Sequence, residues 1–78
     1  MPDTTTLASL ENGTGARVTR IEGGAAALKR FSAMGLMPGC QVFKEAGDSH
    51  GPVVVQVCGA RLAIGRGMAS KIIVERGK

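Results

Sequence analysis

Short apolar segments separated by glycine-rich turns make up most of this chain of 78 residues. The segment Val53–Cys58 has the strongest strand pattern, because four of its six residues are valines. Four other segments are predicted as strands from their β-branched content and their alternation of apolar and polar positions. They are Ala16–Glu22, Cys40–Ala46, Arg61–Ile64 and Lys71–Glu75.

The segment Ala25–Met34 has a helical pattern instead, because apolar side chains recur at every third position from Leu28 onward. Gly35 is placed to end this helix in the left-handed conformation, so that Leu36 packs back against the last turn. Three apolar side chains of this region are therefore predicted to be core residues: Leu28, Phe31 and Leu36.

The connections between the strands also carry turn signals. Pro38 and Gly39 predict a type II turn over Met37–Cys40, since proline presets φ at the second position and glycine supplies a positive φ at the third. Gly59-Ala60 predicts a two-residue hairpin turn of type II′. Residues 65–70 are predicted to be irregular, with a single 3₁₀ turn.

These elements predict a mainly β fold of about five short strands, with one short helix after the first strand. Strands this short hide their edges by curling into a small barrel, and an SH3-like barrel fits best. The polar residues 1–6 are predicted to be a disordered tail. Residues 7–76 would then form a single domain.

The net charge of +4 permits an acidic partner such as nucleic acid or anionic lipid. The basic residues are scattered, however, and the chain has no Trp or Tyr to stack on bases. Ordinary solubility charge is therefore favoured over a nucleic-acid site. Under the alternative, the residues involved would be Arg61, Arg66 and Lys71.

No apolar run approaches the ~20 residues that span a bilayer, and the N-terminus has no signal-peptide pattern. The chain is thus expected to be cytoplasmic and not inserted in the membrane. In that compartment the thiols of Cys40 and Cys58 should be reduced.

Neither a catalytic set nor a complete metal site is visible in the sequence. His50 is the single histidine, and no pattern places a nucleophile or a phosphate-binding loop beside it. A structural zinc site normally needs four Cys or His ligands, and the chain has three such residues. We therefore expect a non-enzymatic protein that requires no cofactor. A site for Fe²⁺ or Zn²⁺ at Asp48 and His50, either weak or shared between molecules, is the alternative to a solvated loop.

Met37 is the most distinctive apolar residue, because it lies between Leu36 and the Pro38-Gly39 turn, where burial is hard to arrange. A surface methionine is an adaptable contact, and an exposed apolar patch on so small a protein indicates a partner site.

The helix and its exit resemble the signature of the ferrous iron transport protein A (FeoA) family, through Leu28-x-x-Phe31-x-x-Met34-Gly35-Leu36-x-Pro38-Gly39. The second half is similar as well, in Gly51-Pro52, the valines, Gly59-x-Arg61-Leu62-Ala63-Ile64 and Ile72-x-Val74-Glu75. The resemblance covers residues 7–75. It departs from the family at Gly65–Met68, where a charged helical turn is usual, and at Cys58, where a polar residue is more usual.

The resemblance implies an SH3-like, cytoplasmic, non-enzymatic accessory of the membrane ferrous iron transporter, which carries a cytosolic G domain. The predicted docking surface consists of Lys29, Arg30, Met34, Leu36, Met37, Pro38 and Gly39. The alternatives are a basic barrel that binds nucleic acid, a relative of a repressor's regulatory domain, and a homo-oligomer formed through edge strands.

Overall fold

The computed structural model describes residues 3–47 and 51–76, which form six strands and two helices. In chain order these are β1 (Thr4–Thr6), β2 (Thr14–Ile21), α1 (Gly24–Ala33), β3 (Gln41–Ala46), β4 (Val53–Val57), β5 (Ala60–Ile64), α2 (Arg66–Ala69) and β6 (Ile72–Arg76). Within the described residues the strands form one antiparallel sheet in the order β1-β6-β2-β3-β4-β5. The predicted mainly β class with one covering helix is confirmed. The helix follows the second strand instead of the first, because β1 precedes the strand that was predicted to come first.

The sixth strand is β1, which lies where a disordered tail was predicted. Thr4 pairs with Glu75 and Thr6 pairs with Ile73 at the free edge of β6. The prediction was wrong for these residues because it took their polarity as a sign of disorder. Three successive threonines are β-branched, and they form a strand once a partner edge is available.

The core lies on the inward-facing side of the sheet, where alternate residues of the strands are buried. Phe31 and Leu36 cover this side from the helix region, and both are fully buried. The other buried apolar residues are Leu7, Leu10, Ala16, Val18, Val42, Val53, Val55, Val57, Ile64, Ala69, Ile72 and Val74.

Leu28 does not belong to this core, contrary to the prediction, and remains 43% exposed. Ala27 and Phe31 stand four residues apart on one face of α1, and this face packs on the sheet. Leu28 is one position further around the helix, on its flank.

The helix ends as predicted. The backbone N–H of Leu36 donates to the carbonyl of Phe31 at 2.9 Å, and that of Gly35 donates to Ser32 at 3.0 Å. Gly35 has φ 88°, so this ending is a Schellman motif, with the apolar contact between Leu36 and Phe31 that usually accompanies it. The type II turn that follows is also confirmed, because Gly39 has φ 97° and the N–H of Cys40 donates to Met37.

The hairpin between β4 and β5 turns one residue earlier than predicted. Cys58 and Gly59 both have positive φ, at 52° and 82°, and Val57 pairs with Ala60. This is a type I′ turn, whose twist matches that of the flanking strands. The register also pairs Val53 with Ile64, both of them buried.

The segment predicted to be irregular contains a single turn of α-helix, α2. The backbone N–H of Ala69 donates to the carbonyl of Gly65 at 2.9 Å, and Ala69 is fully buried. Burial of this alanine holds the turn in place despite the two glycines around Arg66.

Candidate partner-binding surface

The exit of α1 exposes two methionines side by side with the type II turn. Met34 is 36% exposed and Met37 is 46% exposed, and Pro38 and Gly39 are exposed as well. The geometry that ends the helix causes this, since the chain reverses at Gly35 and turns again at Gly39. These residues form an apolar projection that the core does not use.

Leu36 is not part of this projection, although it was included in the predicted docking surface. Its side chain is 0% exposed, because the Schellman motif places it against Phe31 inside the core. Leu36 supports the turn from within and offers nothing to a partner.

Lys29 and Arg30 are exposed on α1. Arg30 lies one helical turn before Met34 and brings positive charge next to the projection. The Nη1 of Arg30 lies 3.7 Å from the Sδ of Met68 in α2. Among the described residues, neither cation forms an ion pair.

A groove runs between α1 and α2 and consists of two adjoining pockets. The first, of about 380 Å³, is lined by Gly23, Ala26, Ala27, Arg30, Phe31, Met68 and Lys71. The second, of about 270 Å³, is lined by Arg30, Met34, Ala63, Ile64, Gly65 and Met68. Arg30 and Met68 line both, so their contact lies where the pockets meet. The sequence pattern did not indicate that Met68 lines this groove. Met68 and Arg30 are 38 positions apart and meet only in the folded structure.

The charges of the described residues are distributed unevenly around the sheet. All five of their carboxylates are paired with arginines: Asp3 and Glu11 with Arg76, Glu22 with Arg20, Glu45 with Arg61, and Glu75 with Arg17. Lys29, Arg30 and Lys71 have no such partner within residues 3–47 and 51–76. The helix side of the molecule is therefore positive and uncompensated.

The three basic residues considered for nucleic-acid binding are engaged in different places. Arg61 pairs with Glu45 at 3.0 Å, and Arg66 donates to the carbonyl of Ala8 at 3.2 Å. Lys71 instead lines the groove. They do not act together as one basic patch.

The two ligands considered for a metal site, Asp48 and His50, lie outside the described residues. Within the described ones, no group of three or more His, Cys, Asp or Glu side chains is arranged to hold a metal ion. The Sγ of Cys40 is 3.1 Å from the carbonyl oxygen of Gly35, and Cys58 is exposed in its turn.

Lys44 is a buried cation that was not among the predicted site residues. Lys44 on β3 is 2% exposed, and its Nζ donates to the carbonyls of Ala8 at 2.8 Å and Leu10 at 2.6 Å. Burial, followed by the nearby charge of Arg66, lowers the pKa of Lys44, and Glu11 opposes this shift. The inward position of Lys44, two residues after Val42, was the available signal.

Across residues 3–47 and 51–76, neither helix has the length and apolar character that crossing a bilayer would require.

The antiparallel sheet, its covering helix and the exposed helix exit define a small SH3-like β module. The FeoA domain family model matches residues 5–76, and the chain belongs to this family. A Methanocaldococcus jannaschii protein named as an Fe(2+) transport protein A is 38% identical over 69 residues, which are 88% of this chain and 83% of that protein.

Solved structures agree with this assignment. A crystal structure of the iron uptake regulatory protein FeoA superposes with a TM-score of 0.90 at 31% identity, over 95% of this chain and 99% of that one. The FeoA of Stenotrophomonas maltophilia complexed with zinc, described as an SH3 domain protein, has a TM-score of 0.76 at 27% identity, over 90% of this chain and 88% of that one. The SH3-like prediction is thereby confirmed.

A manganese-dependent transcriptional repressor contains the same fold, with a TM-score of 0.86 at 22% identity, over 99% of this chain and 44% of the repressor. This likeness concerns the fold alone.

Proposed function

We propose that this chain is a non-enzymatic accessory of ferrous iron transport that acts in the cytoplasm and docks on the GTPase part of a membrane iron transporter. Family membership and the relative named for Fe(2+) transport support the role in iron transport. The single structural observation that supports docking is the projection of Met34 and Met37 beside unpaired cations.

The projection suits a protein partner because it combines adaptability with a rigid base. Met37 is polarizable and unbranched, so it adjusts its shape to an apolar cavity. The turn beneath it is held by Gly39 and by the buried Leu36, so little ordering cost remains on binding. Lys29 and Arg30 would select a partner surface with negative potential and speed the encounter.

A binding experiment with the soluble G domain of the transporter from the same genome tests this proposal. Wild-type chain should bind it in isothermal titration, and Met37→Asp should weaken binding at least tenfold, since a charge would enter an apolar contact. Phe43→Asp is the matched control, because Phe43 is 41% exposed but lies on β3. Equal binding by wild type and Met37→Asp, or equal loss in both variants, would contradict the proposed surface.

A further inference from the structure

The groove between α1 and α2 has a mixed apolar and polar lining and a cationic centre. Ala26 and Ala27 provide accessible apolar surface in the first pocket, and Ala63 and Met34 provide it in the second. Phe31 and Ile64 are buried and form the base of the groove. Arg30 and Met68 line both pockets and contact each other. A ligand that filled both pockets would therefore contact this guanidinium.

The contact between Arg30 and Met68 is easily exchanged. A thioether sulfur is a weak hydrogen-bond acceptor, and the 3.7 Å contact is exposed. A carboxylate offers the same guanidinium a charge-assisted and often bidentate bond, which is considerably stronger. Arg30 would thus leave Met68 for a carboxylate and join the two pockets into one groove.

We propose that this groove binds an aliphatic segment of a different protein that carries one carboxylate at its centre. The aliphatic side chains occupy the two pockets, and Arg30 binds the carboxylate between them. Lys71 and Lys29 add positive charge along the helix side. The inference rests on the proposed function, because Arg30 and Met34 belong to both surfaces, and it specifies the chemistry of the docking segment.

The charge pattern of the described residues favours a different protein over a second copy of this chain as the occupant. Each carboxylate within residues 3–47 and 51–76 is already paired with an arginine. A second copy would have to break one of these pairs before any of these five carboxylates reached Arg30. A partner with an unpaired acidic residue between aliphatic ones meets no such cost.

An NMR titration of the full chain labelled with ¹⁵N tests the proposal. The probe is a short synthetic peptide of leucine and alanine with one central glutamate, compared with the same peptide carrying glutamine there. The glutamate peptide should shift the amides of Ala26, Ala27, Arg30, Gly65 and Met68. The glutamine peptide should bind about tenfold more weakly, since the charge-assisted bond is lost.

The Arg30→Gln variant should lose this discrimination between the two peptides. Arg20→Gln is the matched control, because it removes one exposed arginine from β2 and should keep the discrimination. Dispersed spectra of both variants establish that they fold. Absence of shifts in wild type, shifts confined to other elements, or equal affinity for the two peptides would overturn the proposal, as would self-association that covers the same residues.

The docking proposal and the groove proposal can be contradicted independently of each other. Met37→Asp leaves the groove lining intact and should still bind the glutamate peptide. If the peptide binds but the G domain does not, the groove proposal stands and the assigned partner is wrong. If the G domain binds wild-type chain and Arg30→Gln equally while the peptide does not bind, docking stands and the groove proposal is wrong.

Discussion

The ammonium group of Lys44 donates a 2.6 Å hydrogen bond to the carbonyl oxygen of Leu10 across 34 residues of sequence. The carbonyl of Ala8 accepts a second bond from the same group, and Arg66 contacts that carbonyl too. The carbonyl groups of this turn thus accept hydrogen bonds from cations, as the last carbonyls of a helix often do. The turn that follows β1 is thereby joined to β3 through this buried cation.

Replacing Lys44 with methionine should lower the free energy of unfolding by about 1–3 kcal/mol, because the carbonyls of Ala8 and Leu10 lose a buried donor. Urea denaturation followed by circular dichroism measures the change. Lys29→Met serves as control and should be nearly neutral, since Lys29 is exposed. Equal stability of wild type and Lys44→Met would show that the buried cation contributes nothing net.

The difference in unfolding free energy between wild type and Lys44→Met should shift in favour of wild type as the pH rises through the alkaline range. Burial lowers the pKa of Lys44 in the folded state below its ordinary 10.5, so the unfolded state binds more protons between these two values. This pH-dependent contribution of Lys44 to stability is fully present above pH 10.5. It is lost as the pH falls through the lowered pKa of Lys44 in the folded state. Denaturation midpoints of both proteins across this range measure it, and parallel pH profiles would contradict the prediction.

Cys58→Asn should raise the free energy of unfolding by about 0.5–1 kcal/mol. Cys58 has φ 52°, which costs an ordinary residue energy, whereas asparagine tolerates this region and Asn-Gly is the preferred type I′ pair. Cys58→Ser is the control of similar size without that preference, and it should change little. A thermal scan of the three proteins under reducing conditions distinguishes them.

Gly35→Ala should destabilise the chain by about 1–2 kcal/mol through backbone strain. A Cβ at Gly35 would meet only Val57 Cγ1, at an ordinary 3.9 Å, so crowding does not contribute. Gly65→Ala is the matched control, because Gly65 has φ −57° and open space around a Cβ. It should be neutral or slightly stabilising. Equal effects in chemical denaturation would refute the conformational explanation.

Leu36→Ala should cost about 2–5 kcal/mol of unfolding free energy, because it leaves a cavity in the core. Met37→Ala should cost less than ~1 kcal/mol, since Met37 is largely outside the core. The two variants thereby distinguish Leu36, which is needed for folding, from its neighbour Met37, which is proposed for docking. A similar loss of stability in both variants would mean that Met37 packs on the protein itself.

Much of the fold followed from local pattern, and the errors have a common cause. The Schellman ending at Gly35 and the type II turn at Gly39 were predicted correctly because each depends on a few adjacent residues. The tail at Thr4–Thr6 was misjudged because its strand needs the distant edge of β6. Leu28 was placed in the core because spacing alone does not say which side of a wide apolar stripe meets the sheet.

By itself the sequence determined the class of fold, the lid helix and the exposed methionine at its exit, because β-branching, helical spacing and glycine conformation act over short stretches of chain. Only the tertiary structure decided that Leu36 belongs to the core and that Lys44 is buried and donates to the carbonyl of Leu10. The contact between Arg30 and Met68 in the groove was decided in the same way. These relationships join residues more than 30 positions apart or depend on which side of an element is covered, and packing alone sets both.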